Sequence, residues 1–442
     1  MNELTGGIKA DIFIPASEYR DPEQDRREAE LLWPRTWQMA CRESDLKAKG
    51  DYVVYDILDE SILVIRTGDG ADDIHAMYNV CQHRGRKLTE RTKGKFGNDI
   101  ACRFHGWRFG LTGELKHVPF ETDWDGCAAF NKAELTIPAV QVARWGGWVW
   151  INQDANAIPL AEWLKDVSPV LEPFDLAAMR PLWWKTIIAD VNWKIIVEAF
   201  CEGYHSGETH ISGINYREAP MPTQIVGEHG MFYNAPAPFT EYKTEKGSWT
   251  TPKTFVEHFW ANQKHLFTTL GAITLEPGMK ATERLLDLPD DTPPEQTLAL
   301  FFDYQLDELA KRGVTLPSSM NMEKWFAAGT DWHIFPNSIF LPSLDGALWY
   351  RIRPGKHHDQ AVFDIWSFGR FAPGAEPVVE QEIYHGFEAF KGNCEFLEED
   401  FLNMEAVNQG VKSRGFKGAV TNPVQEGTVA HFHRKLREWC GA

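Results

Sequence analysis

The chain has 442 residues and a net charge of −18, with 43% apolar and 24% charged residues. This is the balance of a folded globular chain with material for two or three domains, and it excludes dominant disorder. So large an acidic excess is a poor match for nucleic-acid phosphates or anionic lipid, so neither is expected as a partner.

The first element in chain order is a helix. Asp21 can cap it, Pro22 suits its first position, Gln24 completes a capping-box pattern, and Pro34 ends it near Trp33. From 51 to about 152 short β-branched and aromatic runs follow (DYVVYDI, ILVIR, HAMYNV, GGWVWIN), separated by Gly, Asp and Asn. They predict a compact all-β unit. A connector over 154–173 carries a short helix at LAEWLKDV. Then come a strand (PLWWKTII), a helix from 192 to about 206, and a long irregular stretch that includes the surface loop DLPDDTPPEQT. Two strands (ALWYRIRP and AVFDIWSF) and helical patterns complete the chain. The irregular order of strands and helices argues against a doubly wound parallel sheet. The expected segments are 1–40 (helical, packing with the later domain), 41–153 (β domain) and 154–442 (larger domain). The N-terminus carries no secretory-signal pattern, no run of about 18 apolar residues marks a membrane span, and the seven scattered cysteines suit no disulfide scaffold. A cytoplasmic setting is expected.

Two loops in the β region carry Cys81 and His83 (CQHRG) and Cys102 and His105 (CRFHGW). Thiolates and imidazoles suit zinc or an iron–sulfur cluster, not calcium or magnesium. A structural zinc site is one reading. The other is a Rieske [2Fe–2S] centre, where two Cys hold one iron and two His the other. Zinc sites usually pair like with like, whereas here each arm mixes one Cys with one His, and this favours the cluster. Gly85 and Gly106 suit tight cluster-bearing loops. Trp107 reads as core packing.

The pattern CxHRG…CxxHGW resembles the Rieske domain of bacterial Rieske non-haem iron oxygenases, the ring-hydroxylating family. It is less similar to the respiratory Rieske proteins, whose additional disulfide cysteines would fall at Arg86 and Phe104. Beyond it, the segment NWKIIVEAFCEGYHSGETH (192–210) shows an apolar helical stripe at Trp193, Ile196, Val197 and Phe200. Glu198, Glu202 and His205 share a second stripe, where a carboxylate can fix the orientation of a histidine. His205 and His210 can meet one metal only if the helix ends or bulges between them, and Gly207 permits that. Two histidines and a carboxylate form the facial triad of non-haem Fe(II) oxygenases.

The resemblance implies that the carboxylate lies far downstream in EEDFLNME (398–405). The choice there is Asp400, the only Asp, with Glu399 as substitute. Phe335-Pro336-Asn337 and RIRP look like the family's catalytic-sheet strands. His431 and His433 are read as an exposed basic helix end. The implied fold is α+β: a small β-sandwich Rieske domain and a larger helix-grip-like domain with a curved antiparallel sheet and helices over an iron pocket. The implied cofactors are a [2Fe–2S] cluster and mononuclear Fe(II). NAD(P)H acts through a separate reductase, since the chain has no GxGxxG or GxxxxGK[ST] pattern. Electrons then come from a ferredoxin or reductase. They cross a subunit interface through His105 or His83, Glu202 and His205, which implies a homotrimer, with or without a small β subunit. The expected function is the terminal oxygenase that hydroxylates, or dihydroxylates, an aromatic or other hydrophobic ring with O2. Most aromatic dihydroxylating members carry Asp where this chain has Glu202, and Glu is seen in carnitine-type monooxygenases. A monooxygenase or demethylase acting on an amine or ether is therefore an alternative. A zinc-stabilised binding protein without catalysis is the alternative from another class.

Overall fold

The computed structural model describes residues 12–210, 221–233 and 251–441. The chain forms two compact units, one of Ala29–Trp163 and one of Met1–Glu28 with Leu164–Ala442. The divisions thus fall after residues 28 and 163, where the sequence pattern suggests 40 and 153.

In the 29–163 unit, seven strands form one antiparallel sheet in the order Gln38–Arg42, Trp148–Asn152, Ala139–Trp145, Ile74–Tyr78, Glu60–Arg66, Asp51–Ile57, Lys93–Lys95. Ile62, Leu63, Val64 and Ile65 are all buried, so this strand is covered on both faces, which explains its unbroken apolar run. A second sheet of three short strands (Ile100–Ala101, Arg108–Phe109, Leu115–His117) contributes to the same core as Tyr52, Leu63, Ile65 and Met77. Ala101 pairs with Arg108, so 102–107 is the tip of a hairpin.

The larger unit is built on an eight-stranded sheet. Its order is Thr223–Val226, His229–Phe232, Asp331–Ile334, Ser338–Pro342, Gly346–Pro354, Ala361–Gly369, Arg180–Ala189, Gln381–His385. The pairs are antiparallel except at one edge, where Gln381–His385 runs parallel to Arg180–Ala189. Mid-sheet, Arg351 and Thr186 both lie in register with Asp364. Its carboxylate accepts from the Arg351 Nε at 2.9 Å and from the Thr186 hydroxyl at 2.6 Å, which satisfies a fully buried charge. The helix Trp193–Phe200 starts at Asn192, whose side chain accepts from the Lys194 N–H. Phe200 packs on Tyr350 and Phe363 of the sheet, with ring centroids at 4.6 and 5.4 Å. The helix Glu395–Gly410 buries Leu397, Asp400, Phe401, Met404 and Asn408, a helical spacing that turns Asp400 inward while Glu395 and Glu405 face solvent.

Several expectations change. The long irregular stretch is largely helical, over Pro252–Thr269, Glu276–Leu285, Pro294–Ala310 and Met322–Ala327. The Pro293-Pro294 pair that reads as loop instead opens a helix, where a missing N–H costs nothing. The helix expected to about 206 ends at Phe200, and a separate short helix covers Ser206–Thr209. Phe335-Pro336-Asn337 is the turn between two strands, with a cis bond at Pro336, not a strand itself. His431 and His433 are not exposed: both are buried, and His433 is 0% accessible. At the N-terminus, Asp21 caps the Glu23 N–H, while the Gln24 side chain turns to Glu28 instead of back to Asp21.

Candidate metal centres

The two arms of the β unit repeat one backbone design. The Cys81 N–H donates to the Arg86 carbonyl and the Gly85 N–H to the Cys81 carbonyl, at 2.9 and 3.0 Å. In the other arm the Cys102 N–H donates to the Trp107 carbonyl and the Gly106 N–H to the Cys102 carbonyl, at 2.8 and 3.0 Å. Gly85 and Gly106 occupy the equivalent corner of each loop with φ of 72° and 79°, a region that penalises any side chain. The cysteines face each other within hydrogen-bond reach, and the His83 and Arg84 N–H groups point at the Cys81 sulfur. Burial pushes the Cys81 thiol up to about 11 despite those donors, so a bound cation is what would hold it as thiolate. The His83 and His105 rings lie 4.6 Å apart. The set therefore presents two buried sulfurs and two nearby imidazoles, the donor chemistry of a mixed Cys/His cluster. No disulfide joins any of the seven cysteines. Trp107 is core, as its residue type suggests, and it also stacks flat on His83 at 4.6 Å and 8°.

In the larger unit, ligand atoms of His205, His210 and Asp400 all lie within 4.8 Å of one another. The Asp400 Oδ1 is 3.4 Å from His205 Nε2 and 3.5 Å from His210 Nε2. The end or bulge expected at Gly207 is absent: the Thr209 N–H donates to the His205 carbonyl and the His210 N–H to the Ser206 carbonyl, at 3.0 and 3.2 Å, and the break from the preceding helix lies at 201–205. His205 then leads into the turn Ser206–Thr209, and His210 follows it. Gly203 sits in the break, where a Cβ would meet the side chain of Met221, with its Cβ at 2.9 Å. Glu202 supports the turn. Its Oε1 accepts from His205 Nδ1 at 2.6 Å, and its Oε2 accepts from the N–H groups of Tyr204 and His205.

Glu399 does not stand in for Asp400 at the cluster of donor atoms. It accepts from the other face of His210, at Nδ1, over 3.1 Å. Sequence reasoning missed this role, and the only available signal was the adjacency of two carboxylates on one helix. Phe396, three residues before Glu399, stacks on the His210 ring at 3.9 Å and 15°. Both histidines thus have Nδ1 engaged by a carboxylate and Nε2 directed at Asp400, the tautomer in which Nε2 is free to bind a metal.

The charges around these three groups suit a bound cation. Burial opposes the His205 imidazolium, but Glu202 and Asp400 outweigh it and bring its pKa up to about 9. Burial raises Asp400 to about 7 against the pull of His205. Burial and the charge on His205 hold His210 down to about 4 despite Glu399. Two imidazoles and one carboxylate on one side of a metal suit non-haem iron and leave room for further ligands.

Comparison with known proteins follows the same division. Residues 176–442 match the family described as ring hydroxylating alpha subunit (catalytic domain), and residues 36–134 match the Rieske [2Fe-2S] domain. The carnitine monooxygenase oxygenase subunit of Escherichia coli (strain K12) is 32% identical over 204 residues, 45% of this chain and 52% of that one. The large oxygenase component of the naphthalene 1,2-dioxygenase system of Pseudomonas putida is 34% identical over 206 residues, 45% of this chain and 44% of that one. The chain thus spans about half the length of these relatives. The solved structure of naphthalene 1,2-dioxygenase with indole bound has the same fold, with a TM-score of 0.66 at 19% identity over 98% of this chain and 92% of that one.

Proposed function

The chain belongs to the ring-hydroxylating alpha subunit family, and on that footing we propose that it is the terminal oxygenase of a Rieske-type system. The observation that carries this reading is the convergence of His205, His210 and Asp400 within 4.8 Å in one unit, with a paired Cys/His set in the other. A [2Fe–2S] cluster on Cys81, His83, Cys102 and His105 would supply single electrons, and an iron on His205, His210 and Asp400 would supply O2 activation.

The protein's own groups do the rest. Glu202 and Glu399 hold the Nδ1 protons of the two histidines, so both Nε2 lone pairs point inward. Asp400 brings the single negative charge, and its near-complete burial keeps bulk water from competing for it. Glu202 Oε1, which accepts from His205 Nδ1 alone within the turn, retains a second lone pair. It could accept from a cluster-binding histidine, His105 or His83, of a neighbouring subunit. That route calls for a trimer, with or without a small β subunit. Electrons would arrive from a ferredoxin or reductase that uses NAD(P)H. No described helix is long and apolar enough to cross a membrane, and we place the protein in the cytoplasm.

The substrate we favour is an aromatic or other hydrophobic ring. Glu202 in place of the commoner Asp supports the second reading, a monooxygenase or demethylase acting on an amine or ether. The test is a product screen under 18O2 with a surrogate ferredoxin and reductase, using naphthalene and carnitine as probes. Two labelled oxygens in a ring diol support the first reading, and one in a product of carnitine supports the second. A purified protein with zinc but no iron or acid-labile sulfide would end both.

A further inference from the structure

We propose that Glu399 is the positioning residue of His210, the counterpart of Glu202 at His205, and that the metal centre is held by one carboxylate behind each histidine. The inference rests on the metal-centre reading above and extends it to a residue next to the Asp400 ligand. Glu399 Oε2 accepts from His210 Nδ1 at 3.1 Å, and its side chain is only 13% exposed. The opposite ring atom, Nε2, faces Asp400 Oδ1 at 3.5 Å. Glu399 and Asp400 are neighbours on one helix, so a single rigid segment supplies both the inward oxygen and the group that orients the inward nitrogen. Phe396 on the same helix stacks on the face of the ring. Phe396, Glu399 and Asp400 are spaced i, i+3 and i+4, which places them on one face one turn apart.

The two supports differ in origin. Glu202 is three residues from its histidine and follows it through any local shift of the turn. Glu399 is 189 residues from His210 and ties the turn to the Glu395–Gly410 helix. It therefore couples the histidine pair to the position of Asp400 as well as fixing one tautomer. A carboxylate in this place also raises the donor strength of the imidazole, which an amide does to a lesser degree.

The experiment measures Fe(II) affinity by chelator competition, with the visible cluster spectrum as a check on the other unit. Glu399→Ala should weaken Fe(II) binding about 10- to 100-fold. Glu399→Gln keeps an acceptor oxygen without the charge and should fall between Ala and wild type. Co(II) bound in place of iron provides a second reading. Its visible d–d bands should move in Glu399→Ala and return towards the wild-type position in Glu399→Gln, which a general loosening of the helix would not produce. Wild-type affinity and unmoved bands in Glu399→Ala would overturn the proposal. A larger loss in Glu399→Ala than in Asp400→Ala would overturn it too, because Glu399 would then be a ligand. If Glu399→Ala fails to fold, Glu399→Gln decides alone, and unchanged affinity and bands refute the role. Failure of the underlying reading has its own signature: Asp400→Ala would then bind Fe(II) as well as wild type.

Discussion

Glu202 uses both carboxylate oxygens inside its own turn, so a substitution there separates charge from shape. Glu202→Gln keeps the length but offers one acceptor oxygen and a donor in place of the anion. The cluster should still be reduced and iron still bound, while electrons reach the iron much more slowly. Single-turnover reoxidation of the pre-reduced cluster, with substrate and O2 present, measures this. Reoxidation as fast as wild type would remove Glu202 from the electron route. Glu202→Asp keeps the anion on a shorter arm and should lose activity only in part. His205 makes a separate prediction about pH. His205, with its pKa brought up to about 9, is protonated at neutral pH, and metal binding must expel that proton. Between about pH 7 and 9 the apparent Fe(II) affinity should rise about tenfold per pH unit, and then level off. A flat profile over that window would show that His205 does not gain a metal at the expense of its proton.

Among the elements, the broken segment after Trp193–Phe200 matters most for the site. The turn Ser206–Thr209 carries His205 at one end and His210 at the other, with ring centroids 5.5 Å apart. The break at 201–205 separates this turn from the helix, and Gly203 in it lies close to Met221. The last turn of the Trp193–Phe200 helix is pinned by charge. His433 donates from Nδ1 to Glu18 at 2.6 Å and from Nε2 to Glu198 at 2.7 Å, while Arg437 also pairs with Glu18 and the Tyr19 hydroxyl with Glu198. This group, with the fully buried His433 at its centre, ties the Ser17–Arg20, Trp193–Phe200 and Gly427–Cys440 helices together. His433→Leu leaves two carboxylates without their shared partner and should cost about 3–5 kcal/mol of stability, read by denaturant unfolding. Burial opposes the His433 charge, but Glu198 and Glu18 outweigh it and raise its pKa above the unfolded value. Its stabilisation is therefore complete below the unfolded pKa of about 6.5 and is lost as pH rises through the folded value. The stability gap between wild type and His433→Leu should narrow in that direction, and a gap that widens with rising pH would contradict the bridge.

For the whole molecule, the two centres lie in different compact units, which makes their losses separable. Cys102→Ser should abolish the cluster absorption and all turnover. His210→Ala should keep the colour and its reducibility but lose the mononuclear iron and turnover, and full activity in that variant would displace the iron site. The same division governs what was legible in the chain. Cys81, His83, Cys102 and His105 stand in two short loops, and the loop glycines that shape them are adjacent in sequence, so local spacing was enough to mark them. His205 and His210 were marked in the same way, although a break before His205, rather than at Gly207, was not. The all-β character of 51–152 followed from β-branched runs, which depend on strand propensity. The roles of distant residues did not follow. Asp400 and Glu399 both carry a carboxylate and are one residue apart. Helix rotation alone sends one carboxylate to the histidine Nε2 atoms and the other to Nδ1. His433 reads as an exposed basic helix end until Glu18 and Glu198, hundreds of residues away in the chain, close around it. The candidate donor types and the local loop geometry were thus determined by the sequence itself, since both depend on neighbours within a few residues. The burial of charges and the pairing of carboxylates with particular imidazole nitrogens were decided only by tertiary packing, because the partners meet only after the sheet and its helices have assembled.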